Sequence, residues 1–259
     1  MKKAFTLAEV LIVLGVIGLV VMITMPTVIA NHQKKVIESG VKEAYNILSQ
    51  AIQASILENG EPNLWFMDVD NTEYVSENYI LPYLKVIKKC GISTSSRAIR
   101  GCFPTVNGQY NMFYTLDGAL LPPTGYSPQN FYSCVLSNGM ILGIRKDYNT
   151  RGTSDPRHFI TFAVDVNGHR GKNTLGKDIF MYTLAINYKG KNYKFATGNK
   201  NNTNMHIEYS DEKLKTDKSI KGICNPTAPS GQDWLPGAAC SVIIQRNGWQ
   251  IPDDYPAKL

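Results

Sequence analysis

The chain has 259 residues and a mass of 28.8 kDa, enough for one domain or two small ones with a real core. Its 21 glycines and 13 prolines exclude collagen-like and low-complexity classes, and 43% hydrophobic with 19% charged residues excludes a wholly disordered chain. A mean hydropathy of -0.19 excludes a polytopic membrane protein but leaves room for one span, and a net charge of +6 is too dilute to predict nucleic-acid binding.

The chain opens Met1-Lys2-Lys3-Ala4-Phe5-Thr6-Leu7-Ala8-Glu9, then runs apolar from Val10 to Met25 with Thr24 inside. Residues 5–25 are about 21 residues, roughly 31 Å of helix and one hydrocarbon core. Lys2 and Lys3 precede the run, which predicts a cytoplasmic start and an exported remainder. A secretory signal has an apolar core of about 7–15 residues closed by a small-residue cleavage site. Here the run is longer, no A-x-A site follows, and small Ala4 stands before the run instead. Glu9 lies inside it. A carboxylate at membrane depth costs a few kcal/mol, which marks Glu9 as a functional candidate. The plainer alternative is an anchor whose Glu9 stays hydrated at the interface.

This opening resembles the class III signal of type IV pilins and type II secretion pseudopilins. The resemblance implies cleavage between Ala4 and Phe5 by a prepilin peptidase, N-methylation of the new Phe5 amine by the same enzyme, and an assembly role for Glu9. Two positions depart from the family pattern: Ala4 replaces the usual Gly before the cut, and Ala8 replaces the usual branched residue before the acid. The chemistry is coherent. Cleavage creates a cation at Phe5, and a carboxylate in the membrane needs one. A neighbouring helix offset along an assembly axis would set its Phe5 amine against Glu9, favouring one staggered register. Gly15 and Gly18 permit close helix packing, and Pro26 removes an i to i−4 hydrogen bond. Pro26 either marks the membrane exit or, as the resemblance implies, bounds a stretch from Gly18 that unwinds in the filament. The implied partners are copies of the chain or other pilins in a helical filament, the peptidase, and an inner-membrane assembly platform. The implied location is the bacterial inner membrane, with the head periplasmic or extracellular.

The expected organisation is a leader at 1–4, a membrane and filament-core helix at 5–26, an amphipathic continuation at 27–60 and an exported head at 61–259. Along the continuation, Val36, Ile37, Val41, Ala44, Tyr45, Leu48, Ala51, Ile52 and Ile56 recur at three- and four-residue steps. Asn59-Gly60 and Pro62 form a stop signal. Residues 79–88 read as a short helix or loop crossing. Beyond them strand signals dominate: hairpins at 112–116 with 119–121 and 132–136 with 140–145, a strand at 159–164, and a pair at 179–187 and 191–196 around Lys189-Gly190. Polar loops are expected at 127–130, 148–157 and 199–204, and the tail from Ile243 to Pro252 reads as a turn and docking strand, with Trp249 in the core. The fold class predicted is α+β, a long helix packed on a mostly antiparallel sheet in two layers, which is also the architecture the resemblance implies.

The most patterned loop is 165–178, with Asp165, Asn167 and Asp178 as candidate oxygen ligands for a hard cation such as calcium. It lacks the third acid and closing Glu of an EF-hand, and Arg170, Lys172 and Lys177 oppose a cation. The alternative is a rigid turn cluster of Asx and Gly residues. Some pseudopilins hold calcium in a C-terminal loop, but this loop does not match theirs residue for residue. Of five cysteines, Cys224 and Cys240 are close in sequence, as are Cys90 and Cys102, and Cys134 is left over as a buried small hydrophobe. A Cys224–Cys240 bond would close a loop of about 15 residues, worth roughly 3 kcal/mol by chain entropy. That loop resembles the disulfide-bounded C-terminal loop of many pilins. Two buried free thiols are the rival reading. His32, His158, His169 and His206 form no metal or catalytic spacing, and no P-loop, GxSxG or GxGxxG occurs, so nothing in the sequence points to an enzyme. The expected function is a pilin-like structural subunit of a type II secretion pseudopilus or type IV pilus. The alternative is a minor tip pilin acting as an adhesion or DNA-binding module.

Overall fold

The computed structural model describes residues 6–65, 71–92, 102–103, 114–120, 131–149, 157–168, 170–187, 192–198, 209–220, 222–228 and 235–257. Ala4 and Phe5, the loops expected at 127–130 and 199–204, most of the 148–157 loop, the Lys189-Gly190 turn, His169, His206 and Trp234 lie outside the described residues. Two units divide the chain, one up to Val36 and one from Ile37.

The first unit is helical. It holds the start of α1, which spans Leu7–Asn59. Its apolar side chains are solvent-facing throughout, from Leu7 at 80% exposure to Ile29 at 50%. The helix is long and apolar enough to cross a membrane, a character that a signal sequence near an N-terminus shares.

The second unit is α+β. From Gly40 onward α1 buries Gly40, Val41, Ala44, Leu48, Ala51, Ile52 and Ser55. These positions follow the three- and four-residue spacing of one helix face. Val36, expected at the head of the stripe, is 45% exposed. Gly40 and Ser55 join the face although neither is apolar in the ordinary sense. At Gly40 an added Cβ would come within 3.0 Å of Val166 Cβ, so the bare backbone is what lets the helix approach the chain at Val166. The helix closes with Gly60 N–H donating to Ile56 O at 3.0 Å, and Trp65 Nε1 donates to Gly60 O at 3.0 Å. A short helix α2 (Thr72–Val75) follows, capped by the Asn71 side chain, then a π turn at Ser76–Ile80 and a 3-10 turn at Leu81–Tyr83.

Six strands form one antiparallel meander in the order β1 (Val86–Ile92), β2 (Tyr132–Leu136), β3 (Ile141–Asn149), β4 (Arg157–Asp165), β5 (Ile179–Asn187) and β6 (Asn192–Thr197). Every spatial neighbour is a sequence neighbour. The β2–β3 register of Val135 with Ile141 is set by the Asn138-Gly139 turn. On the α1 face, Tyr182 donates from its hydroxyl to Val41 O at 2.9 Å, and Tyr45 stacks on Phe195 at 5.2 Å.

The other face is covered too, which corrects the two-layer expectation. Val135, Ile141, Ala163, Ile179 and Met181 pack there with Cys90, Cys102, Phe103, Phe131, Leu235 and Ala238. Burial on both faces explains why β2 is buried at all five positions and shows little alternation. The 79–88 segment is helical through Tyr83, as expected, but its end is strand, because β1 begins at Val86. The hairpin expected at 112–121 survives among the described residues as an isolated bridge, Tyr114 with Leu120, outside the sheet. The tail is corrected from strand to helix: α3 (Asp211–Thr216) precedes α4 (Cys240–Arg246), and the chain then turns at Asn247–Trp249. Ser241 of α4 donates from its hydroxyl to Met181 O at 2.8 Å and accepts from Gly198 N at 3.0 Å. Trp249 is half-buried and lies 5.1 Å from the Tyr45 ring, so it is a lid on the core rather than inside it.

Candidate functional site

In the N-terminal helix, Thr6 and Glu9 form a reciprocal cap. Thr6 N and Thr6 Oγ1 both donate to Glu9 Oε2 at 2.8 Å, and Glu9 N donates to Thr6 Oγ1 at 3.3 Å. This is the Ser/Thr-x-x-Glu capping box, readable from Thr6-Leu7-Ala8-Glu9 but overlooked when Glu9 is considered only as a membrane charge. Glu9 therefore has an intrachain role as helix N-cap partner. Gly15 and Gly18 have open space where a Cβ would stand. Pro26 sits inside unbroken helix, and Thr24 Oγ1 donates to Val20 O at 2.9 Å one turn earlier. Ala4 and Phe5 precede the first described residue.

In the head, the chemically dense point is the loop joining β4 to β5. Asp165 is the last residue of β4, and Asp178 immediately precedes β5. Asp165, Asn173, Thr174 and Asp178 are buried, Asp165 completely. One oxygen of each carboxyl is held by backbone: Asn167 N donates to Asp165 Oδ1 at 3.1 Å, and Thr174 N donates to Asp178 Oδ1 at 2.5 Å. Burial, and then the Asp178 carboxyl, push Asp165 up to about 8. Burial pushes Asp178 up to about 6. The Asn173 amide beside Asp165 eases its ionisation slightly, yet no amide atom of Asn173 has a partner in hydrogen-bond geometry. Asp165 Oδ2 and Asn167 Oδ1 are likewise buried without a partner. Asp165, Asn167 and Asp178 were legible from the sequence. Asn173 was not, because only its burial separates it from any other loop asparagine. Of the three opposing cations, Arg170 and Lys172 are exposed, with the Lys172 ammonium 3.8 Å from the Tyr114 ring centre, and Lys177 is half-buried.

Both cysteine pairs are bonded. Cys90–Cys102 has a Cα separation of 5.7 Å and Cys224–Cys240 one of 4.8 Å. The first ties β1 to the segment covering the far sheet face, and the second ties the 222–228 segment to α4. Cys134 is free and buried in β2, where burial, then the Glu77 charge, push its thiol up to about 12. Glu77 itself accepts from the Tyr132 hydroxyl and pairs with Lys89. A cleft of about 310 Å³ lies between Glu43, Ile47 and Gln50 of α1 and Tyr83, Lys85 and Asn138. Among the described residues, no three His, Cys, Asp or Glu side chains gather as a metal site.

Compared with curated proteins and with solved structures, the chain has no match in either. Residues 27–259 match a family of unknown function, DUF6613, and the chain belongs to that family.

Proposed function

We propose that the chain is a pilin-like structural subunit, inserted in a membrane by its N-terminal helix, trimmed between Ala4 and Phe5, and assembled through that helix into a type II secretion pseudopilus or type IV pilus. The observation that carries this reading is an exposed apolar helix preceded by Lys2-Lys3-Ala4-Phe5 and bearing a single acid, Glu9, at its start. A helix with Leu11, Ile12, Leu14, Ile17, Leu19 and Met22 all more than half exposed would aggregate in water. It needs lipid before assembly and neighbouring helices after it. Gly15 and Gly18 give those neighbours a flat approach.

Glu9 then serves twice. In a lone chain the cap with Thr6 supplies hydrogen bonds to the carboxylate at the helix start. In the filament the Phe5 amine of an adjacent copy would supply the countercharge. The head, covered on both sheet faces and stapled by two disulfides, suits exposure outside the cytoplasm, where such bonds persist. The test is recovery of sheared surface filaments, or of disulfide-trapped oligomers from membranes, in cells making the chain with and without a prepilin peptidase. Assembly that requires the peptidase supports the reading, and a chain that never oligomerises in its presence refutes it.

A further inference from the structure

We propose that Asp165, Asn167, Asn173 and Asp178 form an oxygen-lined calcium site that clasps the β4–β5 loop. Three oxygens of this loop, Asp165 Oδ2, Asn167 Oδ1 and Asn173 Oδ1, carry lone pairs with no protein donor while shielded from solvent. Buried acceptors without donors are rare, because each forfeits its hydration for nothing. Asn173 and Asp165 are both more than nine-tenths buried, and both ends of the Asn173 amide lack a partner. Two carboxylates and a divalent cation sum to neutrality, whereas one water, with two donors, could not satisfy all three acceptors.

The donor set selects the ion. All four side chains offer oxygen and none offers nitrogen from imidazole or sulfur, which disfavours zinc. Magnesium demands a near-ideal octahedron and keeps several waters, while calcium accepts six to eight irregular oxygens, including backbone carbonyls. The loop is closely built into the head. Gly40 of α1 meets Val166, Tyr114 N donates to Asn173 O at 2.7 Å, and the Tyr255 hydroxyl donates to Gly176 O at 2.5 Å. An ion here would brace the contacts among helix, hairpin and C-terminal segment. With two carboxylates, the affinity belongs in the weak class, on the order of 0.1–1 mM.

The test uses the full-length protein in detergent, stripped with a chelator that is then dialysed away. Calcium chloride is titrated with equilibrium dialysis and thermal unfolding as readouts, with magnesium chloride in parallel. The expected result is about one calcium per chain with a rise in Tm that magnesium does not reproduce. Asn173→Ala should weaken binding about tenfold or more. Asp165→Asn removes a buried acid, so it should fold at least as well without calcium and lose the calcium response. The proposal is overturned if the folded wild type binds no calcium at about ten times the expected dissociation constant, if magnesium binds and stabilises equally, or if Asp165→Asn responds to calcium as the wild type does.

Discussion

Glu9 illustrates how one side chain answers two demands. Its carboxylate caps its own helix through Thr6, and Gln at the same position keeps the acceptor oxygen while losing the charge. Glu9→Gln should therefore insert normally and retain its helix start, yet reduce filament yield about tenfold or more if an intermolecular amine is its partner. Glu9→Leu should also insert and lose filament yield to the same degree, but it should fray the first turn. Membrane fractionation with shear-released filaments measures both, and wild-type filament yield from both variants would remove the ion-pair role. Cys134 makes a different prediction. Buried in β2 with its thiol pushed up to about 12, it should resist alkylation in the native protein at pH 8. In denaturant without reductant, one thiol per chain should react, because the other four cysteines are bonded. Five reactive thiols would contradict both disulfides.

At the scale of elements, Gly237 shows how tightly the C-terminal segment is fitted. An added Cβ would fall 2.3 Å from Leu175 O, and φ is +105°. Gly237→Ala should destabilise the head by roughly 3 kcal/mol, read as a lowered Tm or denaturant midpoint with an unchanged m-value. Opening the neighbouring Cys224–Cys240 bond with Ser replacements should cost about 2–5 kcal/mol in the same assay. The elements legible from the sequence were those whose local signals agreed. The apolar spacing from Val41 to Ile52 gave the packed half of α1, and Asn138-Gly139 gave the β2–β3 hairpin. The β5 strand, Ile179–Asn187, was readable from its β-branched and aromatic run. Where tertiary structure overrides local preference, the sequence misled. Val242, Ile243 and Ile244 have strand character, yet they lie in α4, where burial on all sides and the Cys240 bond hold a helix. In β1, Lys88, Lys89 and two register shifts break the alternation that would have revealed a strand. In the loop, the spacing of Asp165, Asn167 and Asp178 was visible, but Asn173 entered through contacts that no periodicity encodes.

At the scale of the molecule, the two units make opposite demands on their surroundings. The head from Ile37 onward buries apolar side chains on both faces of its sheet and supplies its own core. The unit up to Val36 buries none of the apolar window that starts α1. The family match begins at residue 27, so the shared family region takes in the head and leaves out the whole apolar run from Val10 to Met25. The composition reflects this division: hydrophobic residues are 43% of the chain, but their densest run is confined to the N-terminus. The most direct measurement is the mass of the N-terminal peptide of the protein extracted from membranes of cells that contain a prepilin peptidase. A first residue of N-methylated Phe5 is the predicted result; a peptide that still begins at Met1, in cells where a known pilin is processed, would contradict it.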